Sequence, residues 1–132
     1  MNLDTSKPIK SVSYNGVDVP VYNPPAAPVL LWTNASPTSA FAAQTVSVIG
    51  SPYTGYLVEF VKQAGTSTMS FSFVKKGGIS GVMIGSAVMM GAMRAITAAN
   101  DASLTFGKGY MGTSNKDNMA VPTRIWGVKF TL

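Results

Sequence analysis

An all-β fold, a sandwich, jelly roll or barrel preceded by an N-terminal hairpin arm, is what the amino-acid order predicts. Three observations carry this reading. Short apolar runs alternate with polar residues at period two, turn-forming residues punctuate them at short intervals, and no stretch repeats with helical spacing. At 132 residues the chain is long enough for one domain with a real core.

The elements follow in order. Residues 9–22 read as a hairpin: Asn15-Gly16 is the preferred type I′ turn pair, with Val12 and Tyr14 before it and Val17, Val19 and Val21 after it. Pro20 cannot donate to a ladder, so the second strand belongs at an edge. Pro24-Pro25-Ala26-Ala27-Pro28 makes a stiff, extended connector. Residues 1–28 are therefore an arm and residues 29–132 a body. In the body, strands are predicted at Val29–Trp32, Thr45–Ile49, Gly55–Val61, Met69–Phe73, Ser103–Phe106 and Pro122–Leu132. Met69, Phe71 and Phe73 alternate with Ser70 and Ser72, the clearest period-two signal. Trp126, Val128 and Phe130 share a face of the last strand. Aromatic residues in strands are expected in the core.

Residues 77–93 carry no charge, and Gly81 and Gly85 match a small-xxx-small helix-contact spacing. The stretch is at the short limit for spanning a bilayer, and five glycines with Ser80 and Ser86 weaken its hydropathy and helix propensity. Split near Gly85-Ser86 or Gly91, it reads as two buried strands, and no membrane insertion is expected. Met83, Met89, Met90 and Met93 then become core or interface filler, the latter making them the candidate oligomer interface. A ligand pocket is the alternative.

Charge and chemistry exclude much. Charged residues are 11% of the chain, against a usual share of about 25%. Net charge is +5, of which residues 60–132 contribute +6 and residues 1–59 contribute −1. Cys and His are absent, so disulfides, thiolate metal sites and the commonest general base have no residues to form them. No two of the five acidic residues stand at a pairing distance in sequence. Asp101 and Asp117 flank a Gly-rich hairpin, where turn chemistry is the ordinary use of Asp. Neither a nucleophile elbow nor a P-loop is present: Phe106-Gly107-Lys108-Gly109-Tyr110 lacks the flanking residues of the latter. We therefore expect no enzyme activity and no cofactor. The polar opening Met1–Pro8 is not a secretory signal, so Asn34-Ala35-Ser36 is not expected to act as a sequon. Tyr53, Tyr56, Trp32 and Trp126 have the chemistry to stack on sugars. Of the aromatics, the loop residues Tyr53 and Tyr110, with Lys108 and Lys116, are the candidate ligand or receptor contacts.

Three segments resemble a known family. Leu31-Trp32-Thr33-Asn34 running through Pro37-Thr38, Phe41-Ala42-Ala43-Gln44-Thr45-Val46 is similar to the opening of small β modules in tailed-bacteriophage virion proteins. Tyr56-Leu57-Val58-Glu59-Phe60 resembles the strand that follows there. Leu104-Thr105-Phe106-Gly107-Lys108-Gly109-Tyr110 and Val121-Pro122-Thr123-Arg124-Ile125-Trp126-Gly127-Val128-Lys129 resemble their closing hairpin. Residues 78–100 depart from the pattern, being richer in Gly and Met. The resemblance implies a jelly-roll-like sandwich, commonly a homotrimer, in a tail-fibre, baseplate or head-fibre setting. Its expected place is the virion, assembled in the host cytoplasm. The arm would bind another virion protein, and the body would meet a host-surface glycan or receptor. Capsid decoration is the alternative placement; a nucleic-acid-binding or membrane-active small protein is a second alternative, with no nucleic-acid partner expected.

Overall fold

A computed structural model describes residues 11–20, 27–85, 91–100 and 102–129. Among the described residues every regular element is a strand. Ser11–Tyr14 (β1) and Val17–Pro20 (β2) form the expected hairpin, with Val12 opposite Val19 and Tyr14 opposite Val17. Asn15 and Gly16 both have positive φ, 50° and 78°, as a type I′ turn requires. This pair is a separate two-stranded sheet.

The body is a sandwich of two antiparallel sheets. The first has the order β3-β12-β5-β6, built from Val29–Thr33 (β3), Met119–Val128 (β12), Gly55–Gln63 (β5) and Met69–Lys75 (β6). The second places Ile79–Ile84 (β7) beside Ala92–Asn100 (β8), then Ser103–Phe106 (β9) and Gln44–Ser47 (β4). Tyr110–Met111 (β10) continues from β8 and turns into Ser114–Asn115 (β11). The terminal strand β12 is thus inserted between β3 and β5, while β4 pairs β9. The two-sheet sandwich is the part of the jelly-roll expectation that this order carries.

The core lies between the sheets. Tyr56, Val58 and Phe60 of β5 face Ile96, Leu104 and Phe106 of the other sheet, all essentially inaccessible. Trp32, Phe41, Phe106 and Phe60 form a run of edge-to-face rings with centroids 5.5–6.2 Å apart, the arrangement the ring quadrupole favours. Pro122 sits in β12 where the register with β5 shifts, the position at which a strand tolerates a residue without an N–H.

Three expectations are corrected here. The Met69-Phe71-Phe73 face of β6 points outward, with Met69 49%, Phe71 53% and Phe73 41% exposed, while Ser72 and Val74 are buried. The reason is volume: Tyr56, Val58 and Phe60 already fill the core beside β6, and small serines fit opposite them. Ser72 meets the cost of burial by hydrogen bonding to the Ser80 hydroxyl (2.9 Å) and donating to the Gly81 carbonyl (3.0 Å). Second, residues 77–93 do divide into two strands near Gly85 and Gly91, but β7 is one-sided rather than buried, with Ile79 78% and Met83 69% exposed. Third, Trp126, a strand aromatic expected in the core, lies half-buried on the outer face; Phe130 lies outside the described residues.

Phe106→Ala removes the ring shared by Phe41 and Phe60, and should lower unfolding free energy by about 3–5 kcal/mol. Urea denaturation followed by tryptophan emission measures this; an effect below about 1 kcal/mol would mean that the core collapses readily around the gap.

Candidate functional site

The second sheet carries a shallow concavity of about 590 Å³ on its outer face, lined by Gly81, Met83, Met93, Ala95, Gly107, Lys108 and Tyr110 among others. Strand register builds it. Met83 pairs with Met93, and Met93 with Tyr110, so three large side chains stand in a row across β7, β8 and β10. One step along, Gly81 pairs with Ala95, and the Gly107 N–H donates to the Ala95 carbonyl at 3.0 Å, giving a floor without bulk. Lys108, exposed at the rim, is the charged side chain there that solvent reaches.

Sequence reading named Met83 and Met93 as interface residues and Lys108 and Tyr110 as ligand contacts; the structure joins all four in one surface. Lys116 is close by, its N–H donating to the Gly109 carbonyl at 2.8 Å, with its side chain exposed. Tyr53 does not join them. Its ring lies on Gly127 of β12, so closely that a Cβ there would be 2.6 Å from the ring carbons, which makes Tyr53 a half-buried cover for the sandwich. In the arm, Tyr14 and Val17 are exposed; Val21, Met89 and Met90 lie outside the described residues. Asp117 performs turn chemistry, its Oδ1 accepting from the Gly109 N–H at 3.0 Å; Asp101 is outside the described residues. Asn34 is structural as well, with Nδ2 donating to the Pro122 carbonyl at 2.9 Å.

Beneath the concavity lies Arg94, which the sequence reading did not single out. It is only 2% exposed. Nε donates to Ala120 O (2.7 Å), Nη1 to Gly107 O (2.7 Å), and Nη2 to Met119 O (3.0 Å) and Asp117 O (3.1 Å). The guanidinium also stacks 5.4 Å from the Phe41 ring centroid. Burial pushes its pKa below the ordinary arginine value, and the Asp117 charge partly offsets this. Gly109 makes room for it: a Cβ there would stand 2.6 Å from Nη2. Ala120 takes φ +47°, a left-handed backbone for a residue with a Cβ, while its carbonyl accepts from Arg94 Nε. The cation therefore holds the loops that shape the concavity.

The first sheet has a second, smaller concavity of about 340 Å³, lined by Pro28, Leu57, Glu59, Phe71 and Trp126. Phe71 and Trp126 approach within 6.2 Å, centroid to centroid, across β5. Glu59 is 8% exposed, accepts from the Thr123 hydroxyl at 2.6 Å, and lies 4.0 Å from Arg124 Nε. Among the described residues, no group of three or more acidic side chains could hold a metal ion, and no helix is long and apolar enough to cross a membrane. Compared with protein-family models, curated proteins and solved structures, the chain matches none.

Arg94→Met keeps the bulk and removes all five donors, leaving four carbonyls to find new partners. Stability should fall by on the order of 3 kcal/mol or more. Arg94→Lys should recover only a minor part, because an ammonium cannot reproduce the planar fork. Thermal denaturation of the two variants checks both statements.

Proposed function

We propose that the chain is a non-enzymatic structural and binding component of a tailed-bacteriophage particle, anchored by residues 1–28 and displaying its sandwich outward. The observation that carries this reading is the character of the two outer sheet faces. Leu30, Met69, Phe71 and Phe73 on one sheet, and Ile79 and Met83 on the other, leave large apolar side chains in solvent. Apolar patches of this kind mark surfaces made to be covered. The 11% charged fraction fits a chain that works inside an assembly.

Two further points support the reading. The segments that resemble phage virion modules are far apart in sequence but adjacent in space, since β3 and β5 both flank β12 and β4 pairs β9. The β1–β2 hairpin exposes Tyr14 (71%) and Val17 (62%). A two-stranded hairpin alone is marginal in water, so one that persists needs a surface to lie on. Docking on a neighbouring protein by strand addition or through these side chains supplies it. In this reading the Met83–Tyr110 concavity, with Lys108 at its rim, is left facing outward for a receptor or glycan.

The chain should co-sediment with purified particles in a density gradient, and Tyr14→Asp with Val17→Asp should abolish this while leaving the melting temperature unchanged. Particles without the chain would overturn the assignment. So would retention on immobilised DNA with steep salt dependence, which belongs to a protein that neutralises phosphates.

A further inference from the structure

We infer that the outer face of the β3-β12-β5-β6 sheet docks against the same face of a second copy, about a two-fold axis that runs along the strands between β12 and β5. This does not depend on the particle assignment. The face is organised in register. Leu30 pairs with Trp126, Trp126 with Leu57, and Leu57 with Phe73, giving one apolar row across all four strands. In the next row Arg124 pairs with Glu59, and Glu59 with Phe71.

The position of the charges selects the partner and the axis. Arg124 and Glu59 stand on the two central strands, one on either side of the sheet's midline. Rotation about that midline exchanges β12 with β5 and β3 with β6. Arg124 then faces the second copy's Glu59, and Glu59 faces its Arg124. The same rotation sets Trp126 over Leu57 and Leu30 over Phe73. An axis across the strands would instead set Arg124 against Arg124, so the charge pattern is self-complementary about the midline alone. Stacked sheets cross at about 30°, and the residues beside the axis are the least displaced by that angle.

Area permits the contact. Four strands about 4.8 Å apart and seven or eight residues long project to roughly 500 Å². With side-chain relief, two copies bury on the order of 1,200 Å², the lower bound for a specific interface. The composition agrees with the anatomy of such interfaces: aromatic and aliphatic side chains at the centre, and one charged pair already joined within each copy. Lys75, exposed at the end of β6, falls at the rim.

Sedimentation of the full chain at roughly 1–100 µM, the range expected of a modest interface, should show a monomer–dimer equilibrium. Phe71→Lys and Leu30→Lys should each raise the dimer dissociation constant at least about tenfold, with little change in the melting temperature read at dilutions where the chain is monomeric, since both side chains are half exposed. Arg124→Glu should weaken the dimer in the same direction, and less so at high salt. Met83→Lys, on the opposite sheet, should leave it intact. A chain that stays monomeric throughout, a trimer, or a dimer lost with Met83→Lys and kept with Phe71→Lys would each overturn the inference.

Discussion

The guanidinium of Arg94 is the interaction on which the rest of this sandwich depends. A cation this deep is tolerated only where fixed dipoles replace the water it has lost. Four main-chain carbonyls and the face of Phe41 do so here. The acceptors come from Gly107, Asp117, Met119 and Ala120, spanning the end of β9, the turn after β11 and the start of β12. One side chain on β8 thus ties the second sheet to the strand that occupies the middle of the first. The Asp117 carbonyl also accepts from the Phe41 N–H at 2.8 Å, bringing the β3–β4 connection into the same junction. Carbonyls are left for the cation to bind because this part of the chain departs from regular pairing: Ala120 takes a left-handed conformation and Gly109 carries no side chain.

Much of this was legible in sequence. Asn15-Gly16 specifies its hairpin through φ alone, a property of two adjacent residues, and the turn appears where they stand. Ser103–Phe106 and the division of residues 77–93 near Gly85 and Gly91 were readable for a similar reason. What could not be read was which side of a strand faces in. In β6 the alternation of Met69, Phe71 and Phe73 with serines is plain, but alternation is symmetric under exchange of the two faces. A shift of one residue turns every side chain over. The choice was made by β5, whose Tyr56, Val58 and Phe60 leave no room beside them for a second set of large side chains. Arg94 was hidden for a related reason. An isolated arginine in an apolar stretch has the same local signature whether it reaches solvent or is buried, and its carbonyl partners lie between 13 and 26 residues further on.

The candidate site divides along the same line. Residue chemistry singled out Met83 and Met93 as interface filler and Lys108 and Tyr110 as ligand contacts, two groups named on separate grounds. Register made them a surface, since Met93 is the common neighbour of Met83 and Tyr110. Tyr53 stands apart from this surface, because Gly127 offers its ring a flat seat that no other residue would.

The outer face of the first sheet is more than surplus hydrophobic surface. A sheet that met only water at this face would have no reason to shield a carboxylate on it. Glu59 is nonetheless largely buried, with its oxygen bound by the Thr123 hydroxyl and Phe71 and Trp126 inclined toward each other across its strand. Desolvating an anion at the surface is costly unless its partners are held in place, and here they are: Thr123 is buried in β12 and Arg124 is its neighbour. The charge is therefore already conditioned for a low-dielectric setting before anything covers it. That combination, an apolar row with a neutralised ion pair beside it at the centre of a four-stranded sheet, is what the buried side of an interface requires and what a solvent-facing sheet has no use for.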